Sequence, residues 1–192
     1  VDARLPLTLN GWAWFGWLVY WIVAASDTHR TVKMESRLSR LQHGALMFGG
    51  FYMIFHHGNP FFYGRFYQLE WMRWLGDAFT AAGLLFSIWA RVHLGKYWSG
   101  VITLKEGHKL ITTGPYEWVR HPIYTGLITA AIGSAMAAET VDGFVGLVMI
   151  IAGCLVKLRR EEALLTGQFG DEYAKFQRDV PMLLPIPRPS RP

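Results

Sequence analysis

Apolar residues run along this chain in long blocks, with the polar positions gathered between them. Five blocks stand out, at residues 9–26, 44–62, 75–94, 122–138 and 143–156. A helix needs about 20 apolar residues to cross a bilayer, and about 17 at the least. The pattern therefore predicts an all-α fold, a single integral membrane bundle of about five transmembrane helices. The last two blocks are short. They predict a tight helical hairpin turning at residues 139–142 and extending into its flanks. His56, His57 and Pro60 mark the end of the second block as interfacial. Residues 157–168 are polar enough to leave the membrane as a helix, which Gly167 and Gly170 interrupt. Asp171 then caps a short helix through Arg178. Leu165, Phe169, Tyr173 and Phe176 recur at helical spacing and give one apolar face, to pack on the cytoplasmic end of the bundle or lie in the interface. Residues 181–192 are rich in proline and predict an extended tail.

The basic residues add an orientation. Five spans place sixteen of the nineteen Lys and Arg on one side, leaving Arg4, Arg65 and Arg73 on the other with the acidic turn Glu139/Asp142. Positively charged loops stay cytoplasmic. The carboxyl terminus and residues 95–121 are thus expected in the cytoplasm, and the amino terminus outside or lumenal. An even number of spans breaks this agreement. Composition agrees with a membrane protein: 52% of residues are apolar and only 17% charged. The net charge of +5 does not point to nucleic acid, because the charges flank apolar blocks and form no basic stripe. Cys154 is the one cysteine, which excludes an internal disulfide and speaks against a metal site; no metal is expected. The first block lacks a basic leader, so no cleavable signal peptide is read. Trp and Tyr near block ends read as an interfacial belt. The small residues from Gly126 to Ala138 predict close helix packing.

The segment at residues 95–121 is heavily punctuated for a link between membrane helices. Gly107, Gly114 and Pro115 impose turns. Pro122 suits a first helical turn and holds His121 extended, so the fourth span is expected to start at Pro122. Its free amides favour an anion, and Arg120 adds a cation. The pair either holds a carboxylate or phosphate, or merely caps and snorkels at the interface. Arg91 and His93, at the end of the third block, either line an acceptor route or sit as interface residues. Glu161 and Glu162 follow the fifth span. Neighbouring carboxylates point in different directions on a helix, so one can face a site while the other pairs with a base. The hairpin brings the two segments together on the cytoplasmic side.

These residues carry a resemblance. His108-Lys109-Leu110-Ile111, Gly114-Pro115-Tyr116 and Arg120-His121-Pro122-Ile123-Tyr124-Thr125-Gly126 resemble the cofactor motif of the isoprenylcysteine carboxyl methyltransferase (ICMT) family. Glu161-Glu162 and Gly170-Asp171-Glu172-Tyr173 resemble its carboxyl-terminal signature. The resemblance covers about residues 91–185. It implies a methyltransferase core at 75–185, after non-diagnostic spans at 1–74 and before a tail at 186–192. It implies S-adenosylmethionine as cofactor, with S-adenosylhomocysteine as product. His108, Lys109, Leu110, Ile111, Gly114, Tyr116, His121, Pro122, Ile123, Tyr124 and Glu161 would bind it, while Arg120, Glu162 and Lys157 would serve catalysis. Lys157 stands where the family has an arginine associated with the methyl acceptor, and lysine lacks the bidentate fork that suits a carboxylate. The acceptor is then a prenylated cysteine carboxylate entering from the bilayer, or a small thiol or phospholipid amine. An NADPH-dependent sterol or enone reductase, which shares a weaker Arg-His-Pro segment, is the competing class.

Overall fold

The computed structural model describes residues 5–25, 31–34, 37–56, 69–95, 98, 103–105 and 110–186. In chain order its elements are α1 (Leu5–Ala25), β1 (Thr31–Met34), α2 (Arg37–Phe55), α3 (Glu70–Leu94), β2 (Thr103–Lys105), α4 (Pro115–Trp118), α5 (Pro122–Ala138), α6 (Val141–Phe169) and α7 (Asp171–Asp179). Each of the five apolar blocks falls at least in part on a helix, and α5 starts and stops where the sequence pattern predicts.

The all-α class holds, with one short addition and three corrections. The addition is a ribbon in which β1 and β2 pair antiparallel, with Lys33 opposite Leu104 and Met34 opposite Thr103. Backbone pairing across two links leaves no hydropathy signal, so periodicity did not reveal it. The second helix begins and ends earlier than its block, because packing on α6 sets its register; His57 and Pro60 lie outside the described residues. Gly167 does not interrupt α6, which runs unbroken for 29 residues to Phe169. A helix tolerates an interior glycine at a cost of about 1 kcal/mol. The break falls at Gly170, with φ +50°, and Gly170 rather than Asp171 occupies the cap of α7.

Two helix pairs form the frame, α3 with α5 and α2 with α6. Glycines let the backbones of α3 and α5 touch. A Cβ added at Gly76 would lie 2.5 Å from the Gly133 carbonyl oxygen, and one at Gly126 would lie 2.5 Å from that of Gly83. Gly50 and Gly146 do the same for α2 and α6. α1 packs on α3 and is pinned there by polar side chains in the middle of the bundle. Asn10 donates to Asp77 at 3.0 Å and to Thr80 at 2.8 Å, and accepts from Ser134 at 2.8 Å. Trp14 donates to Ser134 as well, and Trp17 to Ser87. Hydrogen bonds of this kind are how polar side chains become tolerable in an apolar interior.

The outer faces are apolar: Ile22, Phe48, Leu85 and Val148 are exposed. Such a surface suits lipid rather than water. By length and composition, α3 and α6 qualify as membrane-crossing helices. At one end of the bundle Arg73 pairs with Glu139 in the α5–α6 turn, 2.8 Å apart. At the other end lie the β1–β2 ribbon and the joint between α4, α5, α6 and α7.

Candidate functional site

That joint is built by two prolines and a long helix. Pro115 opens α4 and Pro122 opens α5, and Val119, Arg120 and His121 form the extended elbow between them. A φ of +61° at Gly114 starts the turn, a backbone shape that favours glycine. The α5–α6 hairpin then returns the chain, so that the stretch of α6 after Val156 projects past the apolar region beside the elbow.

Glu162 is the hub of this joint. Its Oε1 accepts from Arg120 Nε at 2.8 Å, Arg120 Nη2 at 2.7 Å, His121 Nε2 at 3.1 Å and the Tyr173 hydroxyl at 3.3 Å. Its Oε2 accepts from the Gln177 amide at 3.2 Å. Burial by itself would raise the Glu162 pKa, but the hydrogen bonds and charges of His121 and Arg120 outweigh it and hold the carboxyl at about 2. Burial and the Glu162 charge push the Tyr173 phenol up. The remaining donor group of Arg120, Nη1, reaches the carbonyls of Gln177 and Val180. All three guanidinium nitrogens are therefore engaged within the protein.

The backbone of the elbow is engaged too. The Arg120 amide donates to the Pro181 carbonyl at 2.9 Å, and the His121 amide to that of Met182 at 3.1 Å. Thr125 donates to the Leu183 carbonyl at 2.7 Å. The Arg120 cation is thus engaged by the chain's own carboxylate and carbonyls, as are the two amides that precede α5. Residues 181–183 act as a strap over the start of α5.

Glu161 points elsewhere. Its Oε2 accepts from the Tyr124 hydroxyl at 2.9 Å. The Lys157 ammonium, one turn earlier on α6, lies 5.9 Å from the Tyr124 ring centre. Tyr116 is buried nearby: burial first, and then the Glu161 charge, push its phenol up. Leu110 and Ile111 are half-buried against the same cluster of apolar side chains. Together these residues present a carboxylate, a phenol, an ammonium and an aromatic-apolar wall.

Residues 76–167, which contain the elbow and both glutamates, match the family described as isoprenylcysteine carboxyl methyltransferase (ICMT). A protein-S-isoprenylcysteine O-methyltransferase of Schizosaccharomyces pombe is 31% identical over 100 residues, half of this chain and 42% of the yeast protein. One of Rattus norvegicus is 30% identical over 129 residues, 62% of this chain and 44% of the rat protein. The chain thus spans less than half the length of these two relatives. One of Mus musculus is 25% identical over 196 residues, 95% of this chain and 69% of the mouse protein. A solved structure of a eukaryotic intramembrane Ras methyltransferase, ICMT, shares the fold at a TM-score of 0.54 and 20% identity, covering 81% of this chain and 55% of that one.

Against the ICMT family motif, the structure brings Gly114, Tyr116, Arg120, His121, Pro122, Ile123, Tyr124, Lys157, Glu161 and Glu162 to one end of the bundle. Ile123 is buried in the core behind the elbow. His108 and Lys109 lie outside the described residues. Arg160 donates to Gln42 of α2 at 2.7 Å, away from this group. The sequence reading missed Gln177 and the carbonyls of Pro181 and Met182. A backbone carbonyl carries no residue-type signal, and Gln177 reads only as an exposed helix position.

Proposed function

We propose that this chain is a multi-pass integral membrane methyltransferase carrying a methyl group from S-adenosylmethionine to a lipophilic acceptor, with an isoprenylcysteine carboxylate as the acceptor class. One observation carries the reading: within the matched segment, Glu161 accepts from Tyr124, its charge reaches the buried Tyr116, and Leu110 and Ile111 pack on the apolar cluster that holds Tyr116. That donor set suits the group chemically. The apolar and aromatic wall suits a purine, and the Glu161 carboxylate suits an ammonium or hydroxyl.

When bound, the donor supplies an electrophilic methyl on a sulfonium. The chain's residues have the task of alignment and water exclusion. Alignment contributes several kcal/mol to such displacements, on the order of 7–11 at the limit. A carboxylate acceptor arrives ionised, so no residue need remove a proton. Lys157, one turn before Glu161, holds it as a point charge. Arg120 and Glu162 act on the reaction as positioning residues, since Arg120 is occupied by Glu162 and the Gln177 and Val180 carbonyls, and Glu162 by Arg120, His121, Tyr173 and Gln177.

The topology follows the charge pattern, with the elbow, residues 95–121 and the carboxyl terminus cytoplasmic. The β1–β2 pairing supports this by joining the α1–α2 and α3–α4 links at one end. Donor from the cytosol and acceptor from the bilayer then meet at the helix ends.

Detergent-purified protein should gain thermal stability with S-adenosylhomocysteine, as expected for a ligand that binds only the folded state. A rise with NADPH alone would sink the proposal in favour of a reductase. Labelled methyl should pass to a farnesylated cysteine analogue; transfer to thiols or phospholipid amines instead would overturn the acceptor assignment.

A further inference from the structure

We infer that His93, at the end of α3, is a positioning residue for the turn that opens the donor pocket. This rests on the methyl-donor reading above and deepens it. The last turns of α3, residues 86–93, make contact with the turn at residues 113–118. Phe86 stacks on Trp118 with ring centres 6.3 Å apart, and Trp89 meets the same ring edge-on at 5.5 Å. One turn on, the Ala90 carbonyl accepts from the buried Tyr116 hydroxyl at 3.5 Å. Last comes His93, whose Nε2 lies 2.8 Å from Thr113 Oγ1. Its ring lies at a shallow angle of 28° to that of Tyr116, 6.3 Å away.

His93 also fills the space that a side chain on Gly114 would need. A Cβ there would lie 2.7 Å from His93 Cε1. The imidazole thus supports from below the one residue of the turn with positive φ, and fixes the residue before it by a hydrogen bond. Positions 86, 89, 90 and 93 share one helical face, so α3 is a rigid template on which the turn rests. Its last contact sets the angle at which Tyr116 enters the pocket. His93 is itself exposed, so its replacement leaves no hole in the core.

The test measures the dissociation constant of S-adenosylhomocysteine for the full chain in detergent. His93→Ala should weaken binding about fivefold to tenfold, the effect of one lost hydrogen bond and its packing. Its melting temperature in the absence of ligand should change little. Thr113→Val removes the other partner at an exposed residue and should weaken binding in the same direction, which keeps the test decisive if His93→Ala does not fold. His93→Gln keeps a terminal donor at the position of Nε2 and should restore most of the affinity; a merely structural role predicts no such rescue. Wild-type affinity in both His93→Ala and Thr113→Val overturns the inference alone. Absence of binding by the unmodified chain overturns the methyl-donor reading and this inference with it.

Discussion

Glu162 collects neutral donors from α7 and a cation from the elbow before α5, so removing Arg120 leaves its charge unbalanced. Arg120→Ala is expected to cost about 3 kcal/mol in unfolding free energy, because a carboxylate enclosed by protein loses its cation. Glu162→Gln, which keeps the shape, should cost less, about 1–2 kcal/mol. Both are read by chemical unfolding in detergent. Acid gives a second test. The folded-state pKa of Glu162, about 2, lies below its ordinary value of 4.5, so the unfolded chain takes up the proton first. Its stabilisation is whole above about pH 4.5 and is lost as pH falls towards 2. The stability difference between the wild type and Glu162→Gln should shrink across that window; a constant difference would refute the ion pair. At this scale the sequence was half legible. Adjacent glutamates on a helix must diverge, and they do, one to Tyr124 and one to Arg120. That Arg120 serves Glu162 instead of a ligand was not legible, since a free cation and a satisfied one look alike in a sequence.

The helices were the most legible part, and glycine explains how they fit together. Gly76 and Gly83 on α3 oppose Gly133 and Gly126 on α5, each pair bringing backbone against backbone. Gly126→Ala should destabilise the protein by about 1–3 kcal/mol, as overpacking does where the obstructing atom is a carbonyl. Gly167→Ala on the solvent-facing end of α6 meets nothing within 4 Å. It should be neutral or stabilising by about 0.5–1 kcal/mol through helix propensity. Thermal unfolding of the two variants side by side checks the contrast. The composition of α5 announced close packing, but its partner was not announced: small residues tell how near a neighbour comes, not which helix it is. The ends of α2 were misread for a related reason, since contact with α6 and not hydropathy decides where that helix lies.

For the whole molecule, the alternation of apolar blocks and basic links gave a bundle with two unlike ends. One end holds the Arg73–Glu139 pair, and the other the ribbon and the elbow. Cysteines placed singly at Thr112 and at Thr166, with Cys154 replaced by serine, should be labelled by an impermeant reagent from the cytoplasmic side of sealed vesicles only. Labelling of the two from opposite sides would break the proposed topology. The ribbon and the strap escaped sequence reading because both are made by backbone atoms.

The strap also has a consequence in time. Residues 181–183 are synthesised after α1 to α7, yet they hold the amides of Arg120 and His121. A chain still short of Leu183 owns its helices and both glutamates but has no finished elbow. Completion of the elbow is therefore coupled to synthesis through Leu183, and a product cut off after α7 would keep the bundle but lack the strap that fixes the Arg120 and His121 amides.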